Sequence, residues 1–218
     1  MNACRARRAP LVVVAAALLA IAVGCGDDDG EAPDARPADA PAARASSVPV
    51  ERLREGGYVV AFRHAATDSG MDTTDDLSDC SRQRNLDGEG RRQSREIGRA
   101  FERLDIAVGR VMASPFCRTR DTARLAFGRV QPTRALLSVE FFASPREGRR
   151  EGLRRLLKAE PADGTNTVLF THGSAILDAL DEEPEEGGAV IVAPGRGKRG
   201  YAVVATVPVD HWRSARPD

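Results

Sequence analysis

From about residue 50 onward, apolar and polar positions alternate between short solid runs and amphipathic stretches. Tyr58-Val59-Val60-Ala61-Phe62 is a continuous apolar run that breaks off at Arg63-His64-Ala65-Ala66-Thr67. A run this short and β-branched reads as a buried parallel strand. Behind Asp87-Gly88-Glu89-Gly90, the residues Ile97, Ala100, Phe101 and Leu104 fall at i, i+3, i+4 and i+7. That spacing predicts an amphipathic helix, capped by Asp87 and laid on a sheet. Residues 108–113 predict a second strand, and Ser114-Pro115 offers an N-cap with proline at the first helical position. The helix that follows buries Phe116, Thr119, Ala123 and Phe127, places Arg118 and Thr122 on another face, and stops at Gly128. Residues 146–158 predict a third helix ended by Pro161, 167–171 a strand, and 174–180 a helix. The last two strands, 189–192 and 201–207, are joined by the hairpin-like Pro194-Gly195-Arg196-Gly197-Lys198-Arg199-Gly200, which lacks a phosphate-loop pattern. Strands alternating with helices predict an α/β fold: a three-layer α/β/α sandwich with a mostly parallel central sheet.

Ahead of this region the pattern changes twice. Arg5, Arg7 and Arg8 precede an apolar run at 11–23, then Gly24-Cys25-Gly26 and three aspartates. A basic segment, a short apolar core and small residues form an export signal, and the run falls short of the about 20 residues a spanning helix needs. Cys25 looks like the lipid-acceptor cysteine of a lipoprotein, giving a signal peptide over 1–25; the alternative is ordinary cleavage after Ala20-Ile21-Ala22. Residues 26–49 are rich in Ala, Pro, Asp and Arg and predict a disordered linker. The folded domain is expected over 50–212, with a short tail at 213–218.

Charge adds little to this picture, because 32 basic and 32 acidic residues are intermixed. There is no electrostatic footprint for nucleic acid. The cysteines add more. Only Cys80 and Cys117 lie in the expected domain, and an exported chain would join them in a disulfide. Two separate buried thiols are the alternative. A zinc pair is disfavoured, because neither cysteine has a second ligand at the usual spacing.

Two histidines stand at expected strand ends. His64 follows the first strand and His172-Gly173 follows the strand at 167–171, where open α/β sheets hold ligands. Arg118 falls in the first turn of the second helix. Together, Arg63-His64-Ala65, the Ser114 to Arg118 spacing and His172-Gly173 resemble the signature of the histidine phosphatase superfamily, branch 1, with its phosphoglycerate-mutase-like fold. The resemblance spans about 57–207, with Ala65 where the family usually has glycine.

The resemblance implies a phosphatase in which His64 attacks phosphorus, water hydrolyses the phosphohistidine, and no metal or organic cofactor takes part. Arg63 and Arg118 supply fork-shaped, charge-assisted hydrogen bonds to phosphate oxygens, and His172 donates from a third direction. Thr67 matches a hydroxyl position that contacts the same phosphate. The proton donor by resemblance is Glu140, whose neighbours Phe141 and Phe142 would desolvate it; Glu147 and Glu151 are alternatives. His211 matches no motif and reads as a surface or packing residue. The loop at 68–84, with Asp68, Asp72, Asp75, Asp76 and Asp79, is expected to overhang the pocket and to disfavour polyanionic substrates. The partners expected are a small-molecule or envelope-linked phosphomonoester and, through a lipid anchor, a membrane. A mutase, or a lipoprotein that binds a phosphate ligand without turnover, are the competing functions.

Overall fold

A computed structural model of the chain describes residues 50–141 and 146–216. The expectations for the signal peptide, Cys25, the linker, Phe142 and the side chain of Glu147 lie outside the described residues.

The apolar run at 59–63 forms β1 (Val59–Arg63), which pairs in parallel with β4 (Asn166–Thr171) and antiparallel with β5 (Ala189–Pro194). β2 (Val108–Ala113) lies in parallel on the other side of β4 and carries the two-residue β3 (Gln131–Pro132), while β6 (Tyr201–Val207) closes the far edge against β5. The six-stranded order is β3-β2-β4-β1-β5-β6, mostly parallel as the alternating pattern predicts.

Successive side chains of a strand point to opposite faces, so β1 divides its apolar residues between two cores. Val60 and Phe62 join Phe170 and Ile191 beneath α1 (Gly88–Arg103), α2 (Cys117–Phe127) and α5 (Val209–Ser214). Val59 and Ala61 join Leu169 and Val192 against α3 (Arg146–Lys158) and α4 (Gly173–Leu180), through Leu153, Leu157, Ile176 and Leu180. These are the three layers. Asp87 caps α1 by accepting from the Gly90 amide at 2.7 Å, and α2 ends at Gly128 with φ of +67°, both as the sequence predicts.

Three features differ from expectation. First, α2 begins at Cys117, not at Pro115, with Phe116 at its N-cap and no capping side chain there. Ser114 still belongs to the sheet, its amide donating to Phe170 O at 3.0 Å, and the Cys117 amide is satisfied by Gln83 Oε1 at 2.9 Å. Second, β3 has two exposed residues and so carries no apolar signal. Third, the fold runs past residue 212. α5 buries Trp212 completely against Phe62 and Phe101, with ring centroids 5.3 and 5.4 Å apart, and Arg213, placed in the tail by sequence, pairs with Glu96 at 2.9 Å. His211 lies on the same helix, with its ring edge-on to Trp212, which fits a packing residue.

Candidate active site

β1, β4 and β2 all run in the same direction, so their carboxyl ends bring Arg63-His64, Thr171-His172 and Ala113-Ser114 side by side. The ladder persists through the first histidine, whose amide donates to Thr171 O at 3.0 Å. Beyond it the chain is held from the helical layer. Thr122 Oγ1 accepts from the Ala65 amide at 3.2 Å, and Gln93 Oε1 accepts from the Ala66 amide at 2.9 Å. Gly90 lets α1 approach this segment, since a Cβ there would meet Ala66 O at 1.9 Å. Ala65 sits in this turn without strain: among the described residues only Asp105 and Asp181 combine a side chain beyond glycine with positive φ.

His64 is 2% exposed, and its Nδ1–H donates to Ala65 O at 3.0 Å. The neutral ring therefore keeps its lone pair on Nε2. Burial above all, then the positive field of Arg118, Arg84 and Arg63, holds its pKa down to about 3, against the opposing pull of the Ala65 hydrogen bond. The His172 ring meets His64 edge-on at 5.7 Å between centroids and Phe116 at 5.0 Å. Burial and then Arg118 push its pKa well below 6.5 as well. His172 Nε2 lies 2.9 Å from Ser114 Oγ. With that hydroxyl donating, the neutral ring carries its proton on Nδ1, the nitrogen left to donate to an anion.

Arg118 is 5% exposed and stacks 4.4 Å over the Phe116 ring, with Nη1 donating to Asp72 Oδ1 at 2.9 Å. Arg63 donates from Nη1 to Pro184 O at 3.3 Å. The Nε atoms of both arginines are buried with no hydrogen-bond partner among the described residues. Buried donors of this kind call for an acceptor, and the charges of both arginines act on the neutral His64 ring.

A cavity of about 800 Å³ opens over Arg84 and Arg118 and is lined by Met71, Asp75, Phe116 and Glu140 among others. Glu140 is thus brought to the same cavity as Arg118. It is exposed, however, and not enclosed as the sequence predicts; Phe141 turns inward and packs edge-on against Phe116 at 5.6 Å. Glu151 lies elsewhere, on α3, 3.7 Å from Arg154. Of the five loop aspartates, only Asp72 and Asp75 line the cavity. Asp76 is engaged by Ser78, whose hydroxyl and amide lower its pKa, Asp79 caps the 3-10 turn Cys80–Arg82, and Asp68 accepts from Gly70.

The sequence missed Arg84 and Glu186, and it marks Ser114 as a cap and signature residue, not as the partner of His172. Arg84 Nη2 is 3.7 Å from Glu186 Oε1, which accepts from Thr67 Oγ1 at 3.0 Å. Thr67 does reach the site, with its hydroxyl turned to this carboxylate. Arg84 belongs to a loop with no periodicity, and Glu186 to an acidic run that reads as solvated surface. Cys80 and Cys117 are joined in a disulfide, which sets aside the readings of free thiols and of a zinc pair. The bond ties the loop bearing Asp72 and Arg84 to the residue before Arg118. Among the described residues no group of three or more His, Cys, Asp or Glu side chains is placed to hold a metal ion.

The model of the histidine phosphatase superfamily (branch 1) matches residues 59–141, a stretch that includes Arg63, His64, Arg118 and Glu140 and stops before His172. Among solved structures, the protein histidine phosphatase SixA complexed with tungstate superposes with a TM-score of 0.50 at 15% identity, over 71% of this chain and 98% of SixA. It shares this α/β/α fold. TTHB049 from Thermus thermophilus (TM-score 0.47, 21% identity, 69% of this chain and 99% of that one) is also similar. So is a phosphoserine phosphatase mutant from Entamoeba histolytica in complex with phosphoserine (TM-score 0.48, 11% identity, 71% and 98%). No curated protein matches the chain in sequence.

Proposed function

We propose that this chain is a branch 1 histidine phosphatase that hydrolyses a phosphomonoester through a phosphohistidine at His64. The observation that carries this reading is a buried neutral imidazole, its proton held on Nδ1 by Ala65 O so that Nε2 keeps its lone pair, in the positive field of Arg118, Arg84 and Arg63. In the first step the Nε2 lone pair forms the N–P bond while the P–O bond to the alcohol breaks. The electron pair leaves on that oxygen, which takes a proton from Glu140. Arg63, Arg118 and His172 hold the equatorial oxygens, with Arg84 at the rim. In the second step Glu140 takes a proton from water, the water oxygen attacks phosphorus, and the N–P electrons return to Nε2.

The cavity rim mixes apolar Met71 and Phe141 with the carboxylates Asp75 and Glu140. It favours a neutral or cationic alcohol carrying some apolar surface over a polyanionic one. The setting we propose is outside the cytoplasm, with a lipid anchor on Cys25. The basic, apolar and small-residue pattern at the start of the chain supports that reading, and so does a disulfide of the kind that persists in oxidising compartments.

The test is turnover of an aryl phosphate and a panel of phosphomonoesters by the full-length protein, with and without chelator, beside His64→Ala. Hydrolysis insensitive to chelator, with ³²P trapped on the wild type after acid-free quench and absent from the variant, is expected. No hydrolysis by folded wild type, or hydrolysis undiminished in the variant, would overturn the reading.

A further inference from the structure

Among the acidic residues following α4, the side chains take different tasks. Glu182 accepts from Thr206, and Glu185 accepts from the Val209 amide at the start of α5. Glu186 turns to the nucleophile. Its loop is fastened to the end of β1 by three hydrogen bonds: Arg63 N to Gly188 O, Gly187 N to His64 O, and Arg63 Nη1 to Pro184 O. Gly187 makes the turn possible, with φ of +82°. The carboxylate accepts from the Thr67 amide at 3.2 Å and the Thr67 hydroxyl at 3.0 Å. Its Oε1 then lies 3.8 Å from His64 Nδ1 and 3.7 Å from both Arg63 Nη2 and Arg84 Nη2.

We propose that Glu186 is a positioning residue for phosphoryl transfer: it stabilises the positive charge that the His64 ring gains when Nε2 attacks phosphorus, and it keeps Arg63 and Arg84 aimed at the oxygens. This rests on the phosphatase reading. The ring begins neutral, retains its Nδ1 proton, and becomes cationic as the N–P bond forms. Three arginines face it and oppose that charge, while the other nearby carboxylate, Asp72, is engaged by Arg118. Glu186 offsets them from the Nδ1 side, away from the attacking nitrogen. There it acts on the charge of the transition state without occupying the path of attack.

The placement makes a prediction with two opposite signs. In Glu186→Gln, loss of the negative charge lowers kcat for aryl phosphate by about 10- to 100-fold. The same change leaves the arginines less neutralised, so inorganic phosphate, read as a competitive inhibitor, binds roughly threefold or more tightly. Glu186→Asp keeps the charge and holds kcat within about tenfold of wild type. If kcat in Glu186→Gln is unchanged or higher, the proposal fails and the phosphatase reading stands. It also fails if kcat and phosphate affinity fall together in both variants, the mark of a residue that merely holds the loop. A wild type that hydrolyses no phosphomonoester overturns both.

Discussion

The floor of this site and its rim are built in different ways. Arg63, His64 and His172 stand on the ends of buried strands and Arg118 on the first turn of a helix packed over them, so each is fixed by the sheet and its cores. Arg84, Asp72, Glu186 and Glu140 come from loops and are fixed by hydrogen bonds, ion pairs and one disulfide. The floor carries two buried, neutral imidazoles. The rim carries the carboxylates and is exposed at Asp72 and Glu140. On the proposed reading the nucleophile stands in the buried part, and the loop groups at the cavity are the ones that would meet the alcohol.

The sharpest way to break this contrast is to remove one guanidinium from each part. Arg118→Gln should lower kcat by about 100- to 1,000-fold, because a buried fork on the transferring group is lost. Arg84→Gln, at the rim, should raise KM more than it lowers kcat, by about tenfold in kcat/KM. Steady-state kinetics on one aryl phosphate reads both, and equal losses in kcat would mean that rim and floor act as one unit.

A smaller effect is expected from opening the disulfide. Replacing Cys80 and Cys117 together by serine releases the loop at 68–84 from α2. It should reduce stability by roughly 3 to 4 kcal/mol in the chain-entropy model, as read by urea unfolding. The floor, held by the sheet, should keep its histidine geometry, so KM rises while kcat changes little.

Acid should weaken the floor before the rim. His64 titrates at about 3 in the folded chain and near 6.5 when unfolded. Between those values the unfolded state binds the extra proton, so stability is fully present above pH 6.5 and is lost as pH falls toward 3; His172 shifts in the same direction. The thermal midpoint should fall from pH 7 to pH 4, and the slope should flatten in the His64→Asn, His172→Asn double variant. Because the nucleophile stays unprotonated through this range, kcat/KM should show no acid limb near 6.5 while the fold survives.

What could be read from sequence follows the same division. The apolar run ending at Arg63-His64 and the run ending at Thr171-His172 announce both a strand and its ligand end, because burial imposes a pattern and the pattern stops where the chemistry begins. The cap at Asp87 and the stop at Gly128 were equally legible, being local. Arg84 and Glu186 were not, since their positions depend on contacts that no periodicity encodes: Arg84 N with Asp72 Oδ1 inside one irregular loop, and Glu186 with Thr67 from a distant part of the chain. Glu140 was found as a residue and misjudged as an environment, because adjacency to phenylalanine in sequence does not say which way the ring turns. The start of α2 was misplaced for a similar reason, its first amide being satisfied by Gln83 from another segment.

Trp212 has a consequence for how the chain comes together in time. It is the single tryptophan of the protein, and it completes the core that β1 began. The first residues of that core find their partners late: Tyr58 donates to Asn166 across a separation of 108 residues, and β5 follows later still. Such non-local pairing folds slowly and leaves apolar strand faces uncovered during synthesis. A chain of this design stays open until its last helix is made, and the shift of its one indole from water to hydrocarbon would mark the moment of closure.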